Sequence, residues 1–107
     1  MIIYNVTSKV ARAIHPKWIR WMEEVWLPQA MAESEATSYQ LTRLLDVDNR
    51  QGPTYALLLT FTTRQKLVEY RSRVLPGLDK MTKKEWGDDV LSFGTTLDVV
   101  LHGQGGR

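Results

Sequence analysis

The stretch His15 to Met31, HPKWIRWMEEVWLPQAM, constrains the fold more than any other, because it holds three of the four tryptophans within nine residues. Trp18, Trp21, Met22 and Val25 recur at i, i+3, i+4 and i+7, and Ile19 and Trp26 widen the stripe. That is the apolar face of an amphipathic helix. Pro16 suits the first helical position, where a missing N–H costs nothing. Trp18 and Trp21 are expected in the core, since each ring buries a large apolar area, and Trp26 stands between core and cavity. Pro28 lies within the helix's reach and is expected to kink or end it near the last turn. Such a face must be covered by something flat, and the flanking segments supply strands.

Ile2 to Thr7 alternates as a strand, with Ile2, Tyr4 and Val6 on one side and Ile3, Asn5 and Thr7 on the other. Thr37 to Val47 is the second strand, with Tyr39, Leu41, Arg43 and Leu45 on one face. The polar turn Asp48-Asn49-Arg50-Gln51-Gly52-Pro53 then leads into a third strand, Thr54 to Phe61, as a hairpin. Thr62 with Gln65 reads as a capping box for a second helix. Leu67, Val68, Arg71, Val74 and Leu75 give that helix its period; Pro76-Gly77 is expected to interrupt it before Trp86-Gly87. Val90 to Leu101 is the fourth strand, with Leu91, Phe93, Leu97 and Val99 on one face. No internal repeat is visible. The order β-α-β-β-α-β predicts an α+β, ferredoxin-like sandwich: a four-stranded antiparallel sheet with two helices on one face. One domain spans residues 1–101, and 102–107 form a Gly-rich tail expected to be flexible.

The 107 residues suffice for one core. There is no cysteine, and His15 and His102 match no ligand spacing, so no metal and no cofactor is expected. No apolar run is long enough to span a membrane, and the opening lacks a basic leader pattern; a cytoplasmic protein is the expectation. Net charge is +2, too small to imply nucleic acid or a membrane surface as partner. Seven cations lie between Arg64 and Lys84 against Glu69 and Asp79, and they read as a solvated helix face. An RNA-recognition sheet shares the element order but stacks bases on aromatics of its central strands; Tyr4 and Tyr55 alone make a poor platform.

The strands carry apolar residues on both faces. Ile2-Ile3, Leu44-Leu45, Leu57-Leu58-Leu59 and Val99-Val100-Leu101 leave Ile3, Leu44, Ala56 and Leu58 on the side away from the helices. Monomers rarely expose such a patch, and a second sheet packed on it makes a two-fold homodimer.

The opening Met1-Ile2-Ile3-Tyr4-Asn5-Val6-Thr7, the Trp18, Trp21, Met22 and Pro28 spacing, Gly52-Pro53-Thr54-Tyr55-Ala56, Pro76 and Trp86-Gly87 come in one order. Together they resemble a family of small bacterial cytoplasmic proteins known only as a domain of unknown function. The resemblance runs from Met1 to about Leu101 and implies a ferredoxin-like fold of the dimeric α/β-barrel type, with no established activity. The chain departs from the family's pattern: Trp26 replaces a His, Ser34 and Ala36 a Gly and an aromatic, Leu58 a Gln, and Gly94 an Arg. If those positions formed a family site, this chain has largely lost it.

A small-molecule cavity at the sheet interface is the expected site, and its candidate lining is Asn5, Thr7, His15, Trp26, Arg43, Leu58 and Thr60. Asn5 suits a ligand carbonyl, Arg43 an anion, and His15 a general base. Against that, Asn5 and Thr7 are ordinary sheet hydrogen-bonding residues, Arg43 an edge cation, and His15 a helix-entry residue. Glu23-Glu24 are adjacent on a helix and do not face one another. The reading is a homodimeric module, non-enzymatic or of undetected activity; a cofactor-free oxygenase or isomerase of the dimeric α/β-barrel type is the alternative, by fold analogy alone.

Overall fold

Apolar alternation organises β1 (Ile2–Val10), β2 (Ser38–Arg43), β3 (Thr54–Phe61) and β4 (Val90–Asp98) into one antiparallel sheet of order β2-β3-β1-β4. The computed structural model describes residues 1–106, and Arg107 of the expected tail lies outside them. β1 is the pivot: Asn5 pairs with Leu58 of β3 on one side and Thr95 of β4 on the other. Tyr55, Leu57, Leu59 and Phe61 all point to the helix side and are buried. Residues 99–106 run on without regular structure.

β2 is shorter than its sequence pattern, because the chain turns away at Asp46, which takes a positive φ of 59°. β4 ends at Asp98 opposite Ile2, and the Val99 N–H closes the ladder on the Met1 carbonyl at 3.1 Å. Residues 100 and 101 continue past it unpaired. The helix after β3 is capped by Thr63, not Thr62: its hydroxyl accepts from the Lys66 N–H at 3.2 Å. Both threonines follow the strand, and only the backbone path decides which one reaches the first turn.

Two helical rods cover the sheet. The first joins α1 (His15–Trp21), a π-type turn (Met22–Trp26) and α2 (Leu27–Glu33). The second joins α3 (Arg64–Glu69), a π-type turn (Tyr70–Val74) and α4 (Leu75–Trp86). In each, the amide after the wide turn reaches back five residues, Leu27 to the Met22 carbonyl and Leu75 to the Tyr70 carbonyl. In each, a proline follows at once, Pro28 and Pro76. A proline ring presses on the carbonyl four residues back, and widening the preceding turn relieves that clash. Neither rod is broken at its proline, contrary to the expectation for Pro76-Gly77. The shared device is an internal likeness that the sequence does not display as a repeat.

The wide turn also resets the helical phase. Four-residue steps stay in line through it, so Trp18, Met22, Trp26 and Ala30 are all buried. Val25 is rotated out to 39% exposure and Trp21 is only half-buried, edge-on to Trp86 at 5.9 Å. Trp26 is therefore core, at 5% exposure, and Trp21 flanks it. The second rod shifts likewise: Tyr70 is buried, whereas Val68 and Arg71 are exposed.

Gly94 sits on the helix side of β4 directly under Tyr4, whose ring leans on Tyr70 at 6.0 Å. A Cβ there would fall on the Tyr4 Oη and Cζ atoms. Gly94→Ala is therefore expected to cost about 1–3 kcal/mol through displacement of a buried ring. A urea midpoint equal to that of the wild type would show that Tyr4 has a second seat.

Candidate functional site

The strand register divides the candidate residues between two opposite faces. Asn5, Thr7, Leu58 and Thr60 share the open face with Gln40, Thr42, Phe93 and Thr95. Tyr39, Leu41 and Arg43 pair with Leu59, Leu57 and Tyr55, which places Arg43 on the helix side. His15 and Trp26 are there too. The seven expected lining residues thus do not form one site.

On the open face, part of the hydrogen-bonding capacity is already used. Asn5 Nδ2 donates to Thr7 Oγ1 at 3.2 Å, and Thr42 Oγ1 donates to the Ala56 carbonyl at 2.8 Å. The Asn5 Oδ1 acceptor is buried and has no partner among the described residues. Around this polar centre lie Ile3, Ala56 and Leu58, and along β4 the larger groups Leu91, Phe93 and Leu97, exposed by 60%, 65% and 42%. Among the described residues nothing covers that row, which lies on the face away from the rods.

On the helix side, His15 opens α1 and its Nε2 shares a hydrogen bond with the Tyr55 hydroxyl. The two rings stack at 5.8 Å, Trp18 packs on the same tyrosine at 5.0 Å, and the Arg43 guanidinium lies 6.0 Å from its ring centre. Burial pushes the Tyr55 hydroxyl above its ordinary pKa, with the nearby Arg43 charge opposing. His15, Arg43 and Tyr55 are joined as a packing cluster at the helix entry, away from the polar groups of the open face.

Beside that cluster is a cavity of about 40 Å³ between sheet and rods, lined by Trp18, Met22, Trp26, Leu57, Ser8, Ser92, Asp79 and Thr82 among others. The polar members were not legible as a site. Ser8 interrupts the apolar side of β1, which was the one available signal; its hydroxyl bonds Ser92 Oγ at 2.7 Å. Asp79 lies in the basic stretch of the sequence, and only the fold brings it to this cavity. Burial pushes its carboxyl above the usual range.

The basic run from Arg64 to Lys84 lies along the second rod. Arg71 stands 5.8 Å from the Tyr4 ring centre, Lys83 pairs with Asp88 at 3.1 Å, and Lys66 approaches Glu35 at 3.9 Å. Positions where this chain departs from the resembling family also fail to converge. Trp26 and Gly94 lie on the inner side between rods and sheet, whereas Leu58 faces outward. Among the described residues no three acidic or imidazole side chains gather as metal ligands, and no helix is long and apolar enough to cross a membrane.

The family described as "Domain of unknown function (DUF4286)" matches residues 1–100. No curated protein matches. Among solved structures, a dimeric ferredoxin-like protein from an uncultured marine organism superposes with a TM-score of 0.67 at 7% identity, covering 95% of this chain and 97% of its own. At that identity the likeness speaks for the fold, which is ferredoxin-like, and for nothing finer.

Proposed function

Given that this chain belongs to the DUF4286 family, whose description assigns no activity, we propose that it works as a homodimeric module. Its two open sheet faces pack together and enclose a small polar binding cavity. The observation that carries this reading is the uncovered row Leu91, Phe93 and Leu97, continuous with Ile3 and Leu58 across the sheet. Sheets pack face to face about 10 Å apart when their inner faces are apolar. A second copy supplies such a face by symmetry. The solved structural neighbour is described as dimeric, which agrees with that choice of partner. The unpartnered Asn5 Oδ1, beside Thr7, Thr60 and Thr95, marks the polar centre of the enclosed space. It suits a small molecule that donates an N–H or O–H.

Light scattering on the eluting protein tests this directly. The wild type is expected at twice the 12.3 kDa chain mass. Leu58→Asp places a carboxylate in the paired apolar face and is expected to weaken association by about 100-fold or more, with far-UV dichroism unchanged. A monomeric wild type overturns the reading. So does a Leu58→Asp protein that stays dimeric at the same concentration.

A further inference from the structure

The outer edge of β4 pairs with no strand among the described residues. Its ladder with β1 runs from the Ile2–Asp98 pair to the Val10–Val90 pair in one register, without a bulge. Just past the two ends, the Val99 N–H bonds the Met1 carbonyl and the Asp89 carbonyl accepts from the Ala11 N–H. Pairing in an antiparallel ladder alternates, so the odd-numbered residues of β4 bond inward to β1. The even ones, Ser92, Gly94, Thr96 and Asp98, turn their N–H and C=O groups to the free edge. Folded proteins blunt such an edge with lysine, proline, a bulge or a short strand. β4 is nine residues long, and Val90–Asp98 contains no lysine, arginine or proline.

The sequence along this edge is self-complementary. Pairing of a strand with its own copy about a two-fold axis sets residue i opposite j and j opposite i. With Thr95 on the axis, Phe93 meets Leu97, Leu91 meets Val99, and Val90 meets Val100. Ser92 meets Asp98, and Gly94 meets Thr96. Every apolar residue from 90 to 100 then faces an apolar one, including Val100, which is exposed beyond the strand's end. An axis at Gly94 would set Val90 against Asp98, and one at Thr96 would set Ser92 against Val100. The outward-turned even residues fall opposite one another, as a hydrogen-bonded ladder requires. We propose that β4 is a strand-pairing site for a second copy of this chain, joined antiparallel about Thr95 into one eight-stranded sheet. This contact uses the edge of the sheet, whereas packing of the open faces uses its flat, so neither depends on the other. A two-stranded contact is the weaker of the two. Face-paired dimers therefore form first and join through β4 as concentration rises.

The chain has no cysteine, so a single introduced one reports the contact. Thr95→Cys is oxidised with diamide and read on a denaturing gel without reductant. Thr95 would meet its copy at a non-hydrogen-bonded position, where Cα atoms lie about 4.5 Å apart, within disulfide reach. Facing sheets about 10 Å apart hold two cysteines beyond that reach. The control is Lys9→Cys, equally exposed and on the open face, but on the inner strand β1. Thr95→Cys is expected to link into a covalent pair about tenfold faster than Lys9→Cys, or more. The same comparison in Leu58→Asp, where packing of the open faces is broken, is expected to keep that preference. The proposal is overturned if Thr95→Cys stays a single chain, if Lys9→Cys links as fast, or if the preference is lost in Leu58→Asp. Light scattering on Leu58→Asp reports the open faces alone, so the two contacts fail separately.

Discussion

Gly52→Ala is expected to remove on the order of 4 kcal/mol of stability, the sum of a forbidden backbone conformation and an overlap with fixed backbone. Gly52 has φ of 135°, which L side chains rarely adopt. A Cβ there would overlap the Val10 carbonyl oxygen and lie 2.8 Å from the Arg12 nitrogen. Neither neighbour can give way cheaply. The Val10 N–H donates to the Pro53 carbonyl at 3.0 Å, and the Arg12 N–H to the Gln51 carbonyl at 3.3 Å. These bonds tie the hairpin turn to the end of β1 and so set where the first rod begins. A small domain has only about 5–15 kcal/mol to lose, so the urea midpoint should fall by a molar or more. Gly77→Ala is the control: nothing lies within 4 Å of its Cβ position, and alanine there should raise stability by up to about 1 kcal/mol. Equal midpoints for the two variants would mean that the 48–53 turn relaxes freely.

Trp18→Ala is expected to cost about 3–5 kcal/mol, as a buried aromatic truncation. Trp21→Ala should cost less than half of that. Trp18 is enclosed by Tyr55 and the cavity wall, whereas Trp21 rests half in solvent against Trp86. The order of the two midpoints checks the phase of the first rod. If Trp21→Ala were the more damaging variant, the face of α1 (His15–Trp21) turned to the sheet would be misassigned.

That pair of tryptophans also shows how far the sequence alone could be read. Periodicity identified the helix, its start at His15-Pro16 and its apolar character, because those depend on local spacing and on the missing proline N–H. It assigned Trp21 and Val25 to the inner face because it assumed an unbroken helical period. Trp21, ahead of the wide turn, lies at the flank of the buried stripe, and the π-type turn that accommodates Pro28 changes the period after it, so Val25 turns outward and Trp26 and Ala30 take inner positions.

Strand alternation behaved in the same way. Tyr55, Leu57, Leu59 and Phe61 shared a face in the sequence as they do in the sheet, and Leu91, Phe93 and Leu97 likewise. A period of two is a property of the pleat and needs no partner to define it. Which face the rods would cover, and which hydroxyls would meet, were not local properties.

The sequence by itself therefore determined the element order, the turn glycine at Gly52, the two-faced apolar strands and the family. The first three follow from residues within one turn or one strand of each other, and the family from motifs that come in one order along nearly the whole chain. Only the tertiary structure decided that Asn5, Thr7, Leu58 and Thr60 lie opposite His15, Trp26 and Arg43, and that Ser8 meets Ser92 across the sheet. It also brought Asp79 to the cavity that Trp18 lines, and set Gly94 beneath Tyr4. These contacts join residues far apart in the chain, and their geometry comes from strand register and rod phase together, which no single segment encodes.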